Sequence, residues 1–242
     1  MRNVAAGVGG MVSAGLVLLA SVASATPLIG FTETWSSPPS LEGWQIDTSY
    51  GGGGGTLDNP SGYLRITFPD FPAFPNAAMV YADSGASGGN FVGDYSPAAG
   101  TLVQFWFRSV DTTPDSLALY FANNDTGRAW SWNLTAATPV QGWVVYQVPL
   151  FNYSGWNLAW GTGSSSMDFM NDLASVDWLG LYIAESVAYT GEEHYYLDNF
   201  TLAIPEPESV ALLLAAALSL GVTFRRRLGS TATRLRSLVT RT

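Results

Sequence analysis

Cysteine is absent from the 242-residue sequence, lysine is absent, and histidine occurs once, as His194. Each absence removes a class of chemistry. Without cysteine there are no disulfides, thiolate metal sites or thiol nucleophiles, so the folded part must be held by its own core or by a hard cation. Without lysine there is no Schiff-base residue and no phosphate-loop cation, and the glycine run at 51–55 therefore reads as a strand connection. One histidine cannot supply a His-Glu-X-X-His zinc pair, and no Gly-X-Ser-X-Gly elbow occurs. Next to Glu192 and Glu193, His194 reads as a strand-edge residue.

Positive charge is also scarce where it would matter for nucleic acid. Between residues 26 and 204 seventeen acidic side chains face only Arg65, Arg108 and Arg128, a net charge of −14. A surface of that sign repels phosphate, which excludes nucleic acid and anionic lipid as partners of this region.

What is present begins at the C-terminus. Pro205-Glu206-Pro207 stops any strand. From 209 to 224 the chain is uncharged and apolar on all sides, and Arg225-Arg226-Arg227 follows. Sixteen helical residues would cover about 24 Å of a hydrocarbon core of about 30 Å, with the arginines reaching the cytoplasmic interface. These three parts in this order resemble the PEP-CTERM sorting signal. That resemblance implies a transient inner-membrane anchor processed by an exosortase, and export to the cell surface or exopolysaccharide matrix of a Gram-negative bacterium. Residues 228–242 continue as a basic tail with Arg234, Arg236 and Arg241, beyond the point where such signals usually end.

The N-terminus agrees. Arg2, an apolar core around 16–20 and Ala23-Ser24-Ala25 form a secretory signal peptide over 1–25, with cleavage after Ala25.

Residues 26–204 suffice for one domain. Alternating apolar and polar residues predict strands at 28–35, 43–47, 63–68, 77–83, 101–109, 116–122, 128–134, 142–148, 176–184 and 193–203, with a short helix near 169–174. The expected architecture is all-β: a jelly-roll-like β-sandwich, flanked by an N-terminal signal helix and a C-terminal transmembrane helix. Residues 91–96, 100–108, 168–173 and 196–202 resemble landmarks of the laminin B (domain IV) module, a relative of galactose-binding-like jelly rolls. The resemblance implies an extracellular adhesion or matrix module that is not a catalyst.

Period two places Glu33 on the face of Phe31 and Trp35, and Asp198 on the face of Tyr196, Phe200 and Leu202. Two inward carboxylates need backbone donors or a cation. In jelly-roll carbohydrate-binding modules the first and last strands are neighbours, and acids near their ends resemble Glu33 and Asp198 as ligands of a structural calcium.

The aromatic residues offer a sugar-stacking site, with exopolysaccharide as the ligand. Tyr153, Trp156 and Trp160 crowd a Gly/Ser/Asn-rich loop, and Trp130 and Trp132 share one strand face. Two other readings stay open: a glycoside-processing enzyme built on a carboxylate pair in a cleft, and a structural adhesin that contacts protein.

Overall fold

The computed structural model describes residues 26–51, 54–70, 75–136, 138–185 and 191–204. The expected signal peptide with Ala23 and Ala25, the expected sorting motif Pro205, Glu206, Pro207 and Arg225 to Arg227, and the basic tail lie outside these residues. Among the described residues no helix is long and apolar enough to cross a membrane.

Two six-stranded antiparallel sheets face each other. The first runs β3 (Thr56–Asp58), β4 (Leu64–Phe68), β12 (Glu193–Ala203), β6 (Leu102–Ser109) and β9 (Val144–Pro149), and β1 (Thr32–Glu33) pairs with the later half of β12. The second runs β10 (Asn157–Trp160), β8 (Arg128–Leu134), β7 (Ser116–Asn123), β11 (Trp178–Glu185), β5 (Asn76–Ala82) and β2 (Gln45–Asp47). The chain passes repeatedly from one sheet to the other, as expected of a jelly-roll-like sandwich.

The alternation in sequence decides which way each strand faces. In β4 the side chains of Leu64, Ile66 and Phe68 are buried while Arg65 and Thr67 are not, and β6 buries Val103, Phe105 and Phe107 in the same rhythm. From the second sheet Leu117, Leu119 and Phe121 of β7 and Leu179, Leu181 and Ile183 of β11 meet them. A core of this kind is worth about 25 cal/mol for each Å² of apolar surface taken from water, which removes any need for disulfides.

Three local features depart from the sequence expectation. The first strand is only two residues long, because Gly30 (φ 87°) and Trp35 (φ 45°) turn the chain at either side of it. Two strands were not expected, β3 and β10. The helix α1 (Ser166–Leu173) starts three residues earlier than the sequence suggests, where Ser165 accepts from the Asp168 N–H at 3.1 Å and Asp168 accepts from the Ser165 N–H at 3.1 Å. That reciprocal pair satisfies two donors that a helix start leaves open.

The fourth departure bears on the expected cation. Between Asp198 and Thr201 the register of β12 against β6 shifts, and Asn199 takes φ 50°. The extra residue flips the alternation, so Tyr195, Leu197, Phe200 and Leu202 point into the core while Tyr196 and Asp198 point out. Unpaired inward burial of Asp198 would cost several kcal/mol. The bulge avoids it and keeps both halves of the strand apolar on the inside.

Candidate functional site

The outer face of the second sheet carries rings in odd register with the core. Once Leu117, Leu119 and Phe121 point inward, Tyr120 must point out, and Tyr182 and Trp178 follow from Leu179, Leu181 and Ile183. Tyr81 of β5 and Trp160 of β10 share this face, opposite Gly180 and Ala129 respectively. Tyr50, just beyond β2, closes the group.

The rings form one connected surface. Trp160 lies 5.6 Å from Tyr120 with planes 26° apart, 5.9 Å from Trp178 and 6.3 Å from Tyr50. Tyr182 lies 5.9 Å from Tyr120 and 6.0 Å from Tyr50, and Tyr81 lies 5.8 Å from Trp178. Small residues make the space: Tyr120 has Ser131 on one side and Gly180 on the other, and Trp178 is opposite Ala122. A side chain at Gly180 would meet the Val80 carbonyl at 2.4 Å and Tyr81 Cβ at 2.6 Å, so glycine is needed where β5 comes close. A depression of about 270 Å³ opens among Tyr50, Met79, Tyr120, Ser131, Trp160 and Tyr182.

Polar groups border the rings. Asp47 lies on the same face opposite Met79, and Gln45 accepts from the Tyr81 hydroxyl at 3.2 Å while donating to Asp83 at 2.8 Å. Partial burial pushes the phenols of Tyr120 and Tyr182 up. The same cause, with the Asp47 charge second, raises Tyr50. These hydroxyls therefore keep their protons at neutral pH and can both donate and accept. Flat apolar rings with neutral hydroxyls at their edges suit the two sides of a pyranose ring.

Of the five rings expected from the sequence, only Trp160 belongs to this face. Trp130 and Trp132 share a face as expected, but it is the inner one, since they are opposite Phe121 and Leu119. Trp130 is 1% exposed and donates from Nε1 to Asp172 at 2.8 Å. Trp132 is packed beneath Gly155, where a Cβ would lie 1.9 Å from its ring. Trp156 is buried and donates to the Pro149 carbonyl at 3.2 Å. Tyr153 packs 5.4 Å from Phe169 and donates to the Ser164 carbonyl. Trp130 and Trp156 are core and Trp132 and Tyr153 pack against it partly buried, because β8 turns its two indoles inward and the loop that holds the other two rings folds over them.

Two of the buried carboxylates, Asp172 and Glu33, are occupied by protein donors. Asp172 accepts from Arg128 Nε at 2.6 Å and Nη2 at 2.9 Å, from Thr126 Oγ1 at 2.8 Å and from Trp130. Glu33 accepts from the N–H groups of Thr34 and Trp35, both at 3.0 Å, and from Ser87 Oγ at 2.7 Å. Its inward orientation is as the alternation predicts, but Asp198 lies on the other side of the sheet and bonds the Asn199 N–H at 2.7 Å. Glu33 and Asp198 are therefore not joint ligands of one calcium ion. Among the described residues no group of three or more acidic or histidine side chains is placed to hold a metal.

A more polar hollow of about 340 Å³ lies at one end of the sandwich, lined by Asp83, Asn124 and Asp177 among others. Its carboxylates are engaged: Asp83 accepts from the Gly85 N–H and Gln45, and Asp177 from the Asn124 N–H at 2.6 Å.

No protein-family model matches the chain, and no match was found among curated protein sequences. Among solved structures, the chain is similar to the family 11 carbohydrate-binding module of a cellulosomal cellulase of Clostridium thermocellum, at 15% identity over 73% of this chain and 95% of that one, TM-score 0.43. It is similar to a family 29 carbohydrate-binding module at 10% identity over 74% of this chain and 96% of that one, TM-score 0.38. An agarase matches at 15% identity over 74% of this chain but 26% of its own length, TM-score 0.48.

Proposed function

We propose that this is an exported, non-catalytic surface or matrix protein whose sandwich binds a neutral polysaccharide on the outer face of its second sheet. The observation that carries this is the ring surface itself: Trp160 and Tyr120 stack over a depression that Tyr50 and Tyr182 complete. Six aromatic side chains left outside a core that already holds many others are costly to keep there unless a ligand covers them. Among the described residues the face carries Asp47 and no arginine, which favours uncharged sugars over acidic ones. Export is supported by the signal peptide at 1–25 and the sorting signal at 205–227, through which exosortase and the inner membrane would be transient partners before release into the exopolysaccharide.

Affinity electrophoresis of the purified full-length chain through gels containing neutral polysaccharides tests the binding. Mixed-linkage β-glucan, galactomannan and the producing cell's own neutral exopolysaccharide are the probes. At least one should retard the parent and not Trp160→Ala or Tyr120→Ala. Equal retardation of parent and variants, or none by any of the three, rejects the site. Fractionation of the producing cells tests the address: the chain should leave the cytosol, begin at Thr26 and lose its C-terminal segment.

A further inference from the structure

The outer face of the first sheet carries a second, separate set of rings. Tyr63 lies 4.7 Å from Tyr196 and 6.1 Å from Trp143, Trp143 lies 6.3 Å from Tyr196, and Trp106 lies 6.5 Å from Trp143. Trp106 is 38% exposed and Val145 beside it 49%. Unlike the first ring surface, this one contains cations. The register places Arg65 and Arg108 on either side of Tyr196, and the Arg108 guanidinium sits 5.9 Å above the centre of that ring.

The two arginines differ in their partners. Arg65 grips Asp58 with two parallel hydrogen bonds, Nε to Oδ1 at 2.9 Å among them. Arg128, on the other sheet, grips Asp172 in the same way. Arg108 alone among the three has no carboxylate in ion-pair range among the described residues, and its Nε is shielded from water without a hydrogen-bond acceptor. The domain offers seventeen acids, yet none is spent on Arg108. Asp198, the other acid on this face, is opposite Trp106 and is turned to the Asn199 N–H. The shielded Nε is itself closed to a ligand, so an acceptor from outside would meet the guanidinium at its two Nη groups.

We infer that this face is a second saccharide site, specific for a carboxylated polymer: Trp106 and Trp143 stack on the sugar rings and Arg108 pairs a uronate carboxylate. The guanidinium fork matches a planar carboxylate with two parallel bonds, and the Tyr196 ring lies 5.9 Å below it. Asp58 holds Arg65 as the rim of the site, which among the described residues leaves Arg108 as the one cation of this face without a carboxylate, and so one carboxylate recognised per site. The two ring surfaces lie on opposite sheets, so binding at one is separable from binding at the other.

The test uses the purified full-length chain in gels containing polygalacturonate, alginate or fully methyl-esterified polygalacturonate. The ester has the same rings without the charge. The parent should be retarded by at least one of the two acids, with an apparent Kd about tenfold lower than for the ester. Arg108→Gln should abolish that preference, Trp106→Ala should weaken retardation by the acid, and Trp160→Ala should change neither. Retardation by neither acid, equal retardation by acid and ester, or a preference that survives Arg108→Gln overturns the inference. Loss of acid binding in Trp160→Ala also overturns it, by assigning both ligands to the other face. Melting curves of each variant identify any loss caused by unfolding, and Trp106→Ala, which removes an exposed ring, decides the question if Arg108→Gln is unfolded.

Discussion

Trp160 and Tyr120 stack at 5.6 Å although they come from β10 and β7, strands that do not pair with each other. The strand between them, β8, presents only Ala129 and Ser131 beneath the contact, and the indole crosses over it. A bulge between Leu158 and Trp160 turns the indole to this face; strict alternation from inward Leu158 would point Trp160 inward as well. The pair thus depends on small residues below and an irregularity beside it, and both can be tested.

Trp160→Ala should lower affinity for the neutral polysaccharide about tenfold, or roughly 1.4 kcal/mol, because one stacking plane is lost. At 36% exposure the ring contributes modestly to the core, so the melting temperature should move little. Isothermal titration and a thermal melt on the same sample check both. A large fall in melting temperature with unchanged affinity would assign Trp160 to folding.

Gly180→Ala should damage the same surface from below. The added methyl meets the Val80 carbonyl and Tyr81 Cβ at well under contact distance, and neither is the free end of a flexible chain. The cost should be about 1–3 kcal/mol in urea unfolding, with weaker sugar binding as Tyr81 and Tyr120 are displaced. Stability equal to that of the parent would mean that β5 and β11 can separate slightly without loss.

The sandwich was legible in the sequence because most of its strands alternate cleanly: 64–68, 103–107, 117–121 and 179–183 each give the correct inward set. The ring surface was legible too, in the outward partners Tyr120, Trp178 and Tyr182 of those core strands, but the tryptophan-rich stretches point to Trp130, Trp132, Tyr153 and Trp156 beside Trp160, and of these five only Trp160 lies on it. Trp130 and Trp156 sit where Asp172 and the Pro149 carbonyl satisfy their N–H groups, partners 42 and 7 residues away that spacing does not reveal. Asp198 was misplaced for a different reason: one inserted residue reverses everything after it, and neither Asp198 nor Asn199 is a glycine that would have marked the bulge.

Asp172 should be the acid whose loss is most damaging. It is fully buried and takes four hydrogen bonds, two of them from a guanidinium that is itself mostly covered. Asp172→Ala leaves Arg128 with only the 3.8 Å contact to Asp168 and the Thr162 carbonyl, and Trp130 without an acceptor, a loss of about 3–5 kcal/mol. Asp172→Asn, which keeps the shape and part of the bonding, should lose less. Urea midpoints for the two variants give the comparison, and equal midpoints would show that the charge is not what holds α1 to β8.

Glu193 should make the protein less stable as pH rises. It is 2% exposed, one of its oxygens lacks a donor, and burial first, then the charges of Glu185, Asp111 and Asp115, push its carboxyl up to about 7. Below the ordinary value of 4.5 both folded and unfolded states hold the proton, and Glu193 costs nothing. Between there and about 7 the unfolded chain releases its proton while the folded one keeps it, so stability falls throughout that window. Above it the full penalty, on the order of 2–3 kcal/mol, is present. Glu185, raised by burial in the same direction, adds to the slope. Glu193→Gln carries no such penalty, so it should melt at nearly the parent temperature at pH 4.5 and clearly higher at pH 8. A difference between variant and parent that does not widen across that range would mean that Glu193 ionises freely in the folded protein.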